Sequence, residues 1–160
     1  QRQMCIRDSV KGYAADVRSE KSIAKAVAKL TYAFANANVP KVNVITGEAY
    51  GSAYVTMNSK ALGADVTYAW PDASIGMMDA NEAAKIMYAD DIAKSADVQS
   101  VISEKAAEYA ALQSGVESAA ARGYVDTIIN PEDTRKYVAA AFEMLYTKRE
   151  DRPDKKHGTV

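Results

Sequence analysis

The sequence predicts an α/β fold in which a parallel β-sheet is covered by α-helices. Segments with strand and helix signatures alternate along the chain, and the strand segments are apolar or β-branched throughout. The longest helical segment carries one apolar face, as a helix packed on a sheet does. At 160 residues, a single domain with one core is expected.

The first half of the chain supplies the clearest alternation of elements. Residues 20–38 predict an amphipathic helix, residues 41–46 a buried strand, and residues 47–51 a turn. A short helix then ends at Gly63, a residue typical of helix C-termini. The apolar face of the first helix consists of four residues at spacings of four, three and four: Ile23, Val27, Leu30 and Phe34. Further strands are predicted at 65–70 and 73–78.

The second half is predicted to be mostly helical. Asp79 or Asn81 begins a helix that runs to about residue 92, and Asn130 with Pro131 marks the start of the last helix. Between them lie predicted helices at 97–112 and 117–122 and a strand at 124–129. The apolar face of the last helix is Val138, Ala141, Phe142 and Leu145.

The two ends of the chain are treated separately. Residues 1–9 have no periodicity and resemble a translated sequencing-adapter remnant, so they are predicted to be a non-native leader and are left out of the fold. Residues 10–147 form the predicted domain, and residues 148–160 a polar tail. The leader holds the only cysteine, Cys5, and the tail holds the only histidine, His157. Disulfides, thiolate metal sites and Ser-His or Cys-His catalysis are therefore not expected within the domain, which suits a reducing cytoplasm.

Charge and hydropathy exclude two classes of partner. The formal net charge of −1 provides no basic excess for nucleic acid. No apolar run approaches the roughly 20 residues that span a bilayer. We expect no metal site.

Residues 49–54 (AYGSAY) are the strongest candidate for chemistry. They follow a strand and begin a helix, and the small residues at 51–53 allow a ligand to approach the backbone. The amides of Ser52 and Ala53 would lie in the first helical turn, where backbone N–H groups lack intrahelical acceptors and attract negative charge. Such a pair could form an oxyanion hole. The same residues also suit a close strand-to-helix packing turn, and spacing alone does not decide between the two interpretations.

A family resemblance rests on a series of short motifs in a fixed order. The first two are residues 38–46 (NVPKVNVIT) and 49–54 (AYGSAY). They are followed by 58–65 (NSKALGAD), 68–71 (YAWP), 120–126 (AARGYVD), 129–135 (INPEDTR), 147–150 (TKRE) and 153–158 (PDKKHG). Together they resemble the second half of the carboxyltransferase subunit of biotin-dependent acyl-CoA carboxylases and decarboxylases, including propionyl-CoA and methylmalonyl-CoA enzymes.

The resemblance implies a crotonase-like fold, as in crotonase and Clp protease, and carboxyl transfer between carboxybiotin and an acyl-CoA. It assigns the oxyanion donors to the amides of Ser52 and Ala53, and contact with the biotin cofactor to Gly51 and Tyr54. Val55 stands at a position linked to acyl-chain selection, where propionyl-type members often carry aspartate. Gly47-Glu48 and Asp79 also depart from the usual family pattern.

The resemblance also implies partners. Biotin would arrive on a carrier supplied with a biotin carboxylase or a membrane decarboxylase subunit, and the chain would form a homo-oligomer through the carboxyltransferase dimer interface. The upstream half of the family's subunit, which binds most of the CoA, is missing from this sequence, so the chain alone is expected to be inactive. Two alternatives stay open: a crotonase-like or Clp-like serine hydrolase that uses Ser52, and a non-catalytic assembly domain.

Overall fold

A computed structural model describes residues 4–14, 16–95 and 97–153, and its centre is a five-stranded sheet. The strands are β1 (Met4–Val10), β2 (Lys41–Tyr50), β3 (Val66–Ala69), β4 (Ser74–Gly76) and β5 (Thr127–Ile128). Their order is β1-β2-β3-β5, with β4 paired to the later part of β2, and all these pairings are parallel. The predicted parallel α/β architecture is confirmed.

Eight α-helices within the described residues surround this sheet. They are α1 (Val17–Glu20), α2 (Ile23–Asn36), α3 (Gly51–Thr56), α4 (Ala80–Met87), α5 (Ala89–Lys94), α6 (Val98–Tyr109), α7 (Val116–Ala121) and α8 (Thr134–Met144). Short 3₁₀ turns occupy Lys60–Leu62 and Pro131–Asp133, and a π-helical turn occupies Ala110–Ser114.

The two faces of the sheet are covered by different helices. Val42 and Val44 of β2 lie in a core cluster with Ala141 of α8, against which the predicted apolar face of that helix packs. Ile45 lies in a second cluster with Tyr54 of α3. Successive side chains of a strand point to opposite faces, which explains why neighbouring residues of β2 belong to different clusters. Burial of each such aliphatic side chain contributes roughly 1.5–3 kcal/mol.

Strand β2 is longer than the sequence predicted. Residues 47–50 were expected to form a turn, but they continue the strand to Tyr50, and that expectation is wrong. The reason is tertiary: Glu48, Ala49 and Tyr50 pair with Ser74, Ile75 and Gly76 of β4. Because of this pairing, the strand continues to Tyr50, directly before Gly51.

Residues 4–9 of the segment left out of the sequence-based fold lie in the sheet, as part of β1. Its residues from Met4 to Asp8 pair with Lys41 to Ile45 of β2 through the backbone, an interaction that demands little of side chains. Asp8 is only 1% exposed, neither of its carboxylate oxygens has a hydrogen-bond partner among the described residues, and burial raises the pKa of Asp8 to about 6. The non-native origin of residues 1–9 remains a prediction.

Helix α2 buries only part of its predicted apolar face, and hydrogen bonds hold its C-terminal end. Of the four residues of that face only Phe34 is buried, and Leu30 is 39% exposed. The fully buried Lys41 donates through Nζ to the carbonyl oxygen of Phe34 at 3.0 Å. The start of the predicted tail also reaches this end, because Arg152 donates to the carbonyl oxygen of Ala35.

Candidate active site

The turn between β2 and α3 has a backbone conformation that favours glycine. Gly51 has φ of +62°, in the left-handed region. A β-carbon at this position would stand 3.0 Å from the carbonyl oxygen of Met77, just beyond β4. Both the dihedral angle and the close approach of the second backbone therefore favour a residue without a side chain.

The amides of Ser52 and Ala53 follow immediately, in the first turn of α3. The first N–H groups of a helix have no intrahelical acceptor, and no side chain caps this helix. Ser52 is exposed, whereas Ala53 is 3% exposed. The Thr56 hydroxyl donates to the Ser52 carbonyl oxygen at 2.8 Å and tightens the short helix.

A cavity of about 430 Å³ opens beside this turn, at the ends of β2 and β4. Most of its walls are apolar, and Arg122, directly after α7, is its one charged lining residue among those described. The lining residues are Gly51, Ser52, Tyr54, Val55, Ala61, Ile75, Gly76, Met77, Ala119, Arg122 and Tyr124.

The structure brings four of the five predicted site residues to this cavity. Gly51, Ser52, Tyr54 and Val55 line it, while Ala53 lies between them in sequence but is not a lining residue. Val55 is 41% exposed and presents its branched side chain at the surface.

Tyr54 differs from its neighbours because its hydroxyl is buried. The residue is 6% exposed, and the hydroxyl has no hydrogen-bond partner within the described parts of the chain. Burial is the largest cause that raises the pKa of Tyr54 to about 12, with the charge of Asp8 and then that of Tyr124 adding to it. Tyr54 is therefore a neutral wall residue.

Two side-chain hydrogen bonds connect β4, whose residues Ile75 and Gly76 line the cavity, to neighbouring segments. The Tyr50 hydroxyl donates to Ser74 Oγ at 2.9 Å, and Ser74 Oγ donates to the carbonyl oxygen of Ser114 at 3.3 Å. These contacts join the end of β2 to β4 and β4 to the π-helical turn. Strand β4 is thus hydrogen-bonded through Ser74 to a segment on each side.

Sequence reasoning did not predict seven of the eleven lining residues as part of a site, among them Met77, Arg122 and Tyr124. The strand predicted at 73–78 would place Met77 in the core, but Met77 is 76% exposed at the rim of the cavity, so that expectation is wrong. Arg122 and Tyr124 were noted only as part of a family motif. Arg122 and Tyr124 lie near Gly51 because α7 packs beside β4, and no local sequence pattern predicts such a contact.

The described residues do not form a serine-base pair or a metal site. No hydrogen bond joins the Ser52 hydroxyl to a basic side chain in the described part of the chain, and His157 lies outside the described residues. Within residues 4–14, 16–95 and 97–153, no group of three or more metal-ligating side chains could hold an ion. In the same ranges no helix is long and apolar enough to cross a membrane.

A parallel sheet with an apolar cavity at the ends of its strands is the arrangement of a ligand-binding α/β domain. The fold is crotonase-like, the class of its neighbours among solved structures. The transcarboxylase 12S structure with methylmalonyl-coenzyme A and methylmalonic acid bound matches with a TM-score of 0.92 and 41% identity, over 98% of this chain and 30% of that one. The geranyl-CoA carboxylase β subunit of P. aeruginosa, 23% identical with a TM-score of 0.80, supports the fold alone.

The model of the carboxyl transferase domain matches residues 5–160, and the chain belongs to this family. It is 47% identical over 154 residues to a putative propionyl-CoA carboxylase beta chain of Bacillus subtilis (strain 168), covering 96% of this chain and 30% of the relative. It is 45% identical over 131 residues to the methylmalonyl-CoA carboxyltransferase 12S subunit of Propionibacterium freudenreichii subsp. shermanii, covering 82% and 25% respectively. The chain thus spans less than a third of the length of these relatives.

Proposed function

We propose that the chain forms one half of the active site of a biotin-dependent acyl-CoA carboxyltransferase and acts as part of a longer protein. The reaction is carboxyl transfer between carboxybiotin and an acyl-CoA. One observation carries the proposal: the left-handed Gly51 begins a short helix whose first turn borders an apolar cavity, in a member of the carboxyl transferase family.

The cavity residues fit the bicyclic ring of biotin. The ring has an apolar sulfur-containing side, which suits the walls formed by Val55, Ile75 and Met77. It also has a ureido oxygen, which suits unpaired backbone donors. Gly51 supplies the room for that approach, because a β-carbon there would already crowd Met77.

The amides of Ser52 and Ala53 are proposed to donate to the ureido oxygen as negative charge develops on it. One such donor is typically worth about 2.7–4 kcal/mol of transition-state stabilisation. Bound biotin would supply the carboxyl group on its ureido nitrogen, and that nitrogen would accept the proton of the acyl α-carbon. Because the backbone amides would stabilise the negative charge and the cofactor would accept the proton, the chain needs no histidine or cysteine in the cavity.

Gly51 and Tyr54 are proposed to contact the cofactor, and Val55 to contribute to the choice of acyl chain. Val55 lines the cavity, and its side chain can limit which acyl groups fit beside the biotin ring. An apolar residue at this position favours an apolar acyl neighbour.

The proposed partners are an acyl-CoA, a biotin carrier with its biotin carboxylase or a membrane decarboxylase subunit, and further copies of the carboxyltransferase chain. The 12S neighbour supports two of these, because it was solved with methylmalonyl-coenzyme A bound and in a hexamer assembly. The proposed location is the cytoplasm, where the lone Cys5 would stay reduced. We expect the isolated chain to show no carboxyl transfer, and measurable turnover by it would contradict the half-site proposal.

The test compares two substitutions in a chimera of the Propionibacterium 12S subunit that carries this chain in place of the matching segment. Ser52→Ala keeps the amide and should retain most carboxyl transfer from methylmalonyl-CoA to free biotin. Ala53→Pro removes an amide and should lower the rate by about 100-fold or more. Thermal unfolding of both variants checks that the proline is tolerated near the helix start, where it is least disruptive. If both variants lost the same fraction of carboxyl transfer at equal thermal stability, the assignment of the backbone amides as donors would be wrong.

A further inference from the structure

Arg122 brings a positive charge to a cavity that is otherwise apolar. Among the described lining residues it is the one charged side chain, and its neighbours in the wall include Ala119 and Met77. The side chain is exposed at the cavity mouth, so it can meet a ligand without prior desolvation in the core.

The guanidinium is held in place by a neutral partner. Arg122 Nη2 donates to Gln113 Oε1 at 2.7 Å, and no carboxylate in the described part of the chain forms an ion pair with it. An arginine carries five N–H donors in a planar fork. The contact with Gln113 therefore orients the group and leaves donors and the full positive charge for a ligand.

The segment that carries Gln113 is itself fastened to the cavity wall. Gln113 lies in the π-helical turn Ala110–Ser114, a kind of turn that is frequent at functional sites. Ser118 Oγ donates to the carbonyl oxygen of Leu112 at 3.2 Å, and Ser74 of β4 bridges to Gly115. The turn is thus braced on one side by α7 and on the other by the strand that lines the cavity.

We propose that Arg122, oriented by Gln113, binds the carboxylate group that is transferred in this cavity. The inference rests on the proposed function and adds a recognition residue to it. A carboxylate that enters an apolar pocket loses hydration, and an opposing charge is needed to offset that loss. The planar guanidinium matches the two oxygens of a carboxylate and accepts it in a defined orientation. The same chemistry is present in a carboxylated ureido ring and in a carboxyacyl thioester.

The test uses the 12S chimera described above, in which the unaltered sequence of this chain is the wild type, and two pairs of probes, with binding followed by calorimetry. The first pair is neutral biotinamide and its anionic derivative with a carboxymethyl group on the ureido nitrogen. The second pair is the propionyl and methylmalonyl thioesters of N-acetylcysteamine. The wild-type chain should prefer the anionic member of at least one pair by about tenfold, the size expected for one charge-assisted contact at a partly hydrated site.

Arg122→Gln should abolish that preference without changing the affinity for biotinamide, and Arg122→Lys should keep part of it. Arg149→Gln is the matched control: it removes the same charge from a different exposed site, where the guanidinium bonds to the Lys148 carbonyl oxygen. It should leave the preference unchanged. If Arg122→Gln loses the anionic preference only between the two biotinamide probes, the carboxylate that Arg122 binds belongs to the cofactor. If it loses the preference only between the two thioesters, the carboxylate belongs to the acyl group.

Two results would overturn the inference, and they differ from each other. If Arg122→Gln keeps the full anionic preference, Arg122 does not bind the carboxylate, and the proposed function is untouched. If the wild-type chain binds neither biotinamide nor its derivative, the biotin cavity itself is wrong, and this inference falls with it.

Discussion

Gly51 and Met77 approach so closely that a β-carbon on Gly51 would stand 3.0 Å from the Met77 carbonyl oxygen. This contact joins the turn after β2 to the residue that follows β4, and both residues line the cavity. The backbone conformation of the proposed oxyanion turn therefore depends on a pairing between strands that are distant in sequence.

Substitution of Gly51 by alanine should be costly for two separable reasons. The left-handed conformation disfavours any β-carbon by about 1–2 kcal/mol, and the contact with Met77 adds to that. Gly123→Ala is the matched control, because Gly123 has φ of +80° but open space around its α-carbon. Urea unfolding of both variants should show a larger loss of stability for Gly51→Ala, and equal losses would mean that the Met77 contact relaxes freely.

The buried carboxyl of Asp8 should make the chain less stable as pH rises. Burial raises the pKa of Asp8 from 3.8 to about 6, so the folded state holds this proton more tightly than the unfolded state. The stabilising contribution is complete below about pH 4 and is lost as pH rises through 6, a change of about 3 kcal/mol. Asp8→Asn should remove this slope in unfolding measured from pH 4 to 7. The exposed Asp72→Asn variant should keep the slope, and a wild-type slope in Asp8→Asn would contradict the prediction.

The ion pair between Lys148 and Asp65 should matter more than an exposed pair. Lys148 Nζ lies 2.8 Å from Asp65 Oδ1, the two side chains are 14% and 19% exposed, and Asp65 also accepts the Lys41 amide at 2.7 Å. Asp65→Asn weakens both contacts and should lower the free energy of unfolding by about 1–3 kcal/mol. Glu82→Gln breaks the exposed pair with Lys85 and should cost under about 0.5 kcal/mol. Comparable losses in the two variants would show that burial of the pair is unimportant.

Ser52 should not behave as an activated nucleophile. It is exposed, and no basic side chain among the described residues bonds to its hydroxyl, so nothing there would remove its proton. A fluorophosphonate probe should leave the chain unlabelled while it labels an authentic serine hydrolase in the same tube. Labelling at Ser52, lost in Ser52→Ala, would favour the hydrolase alternative instead.

The alternation of apolar strands with amphipathic helices was enough to predict the parallel sheet and the helices that cover it. Local signals also located Gly63 as a helix end and offered Asp79 or Asn81 as a helix cap; Gly63 is the C-cap, and Asp79 is the residue that caps the helix. Such features depend on a few neighbouring residues, and the sequence contains all of them.

Several elements differed from their predictions because longer-range contacts decided them, and β2 and α2 are two examples. Residues 47–50 are a strand through their ladder with β4, although glycine and glutamate at its start favour a turn. The apolar face of α2 was expected to pack on the sheet, yet only Phe34 of its four residues is buried, and Leu30 is 39% exposed.

The sequence by itself determined the fold class and the motif that contains Gly51, Ser52 and Ala53, since both follow from hydrophobic pattern and short-range geometry. Only the tertiary structure decided which residues share the cavity. It brought Arg122 and Met77 to the turn after β2, left Ala53 off the wall, and placed residues 4–10 in the sheet. The physical reason is that a cavity is the space between packed elements, and its lining depends on how β4 and α7 lie against β2 rather than on any segment alone.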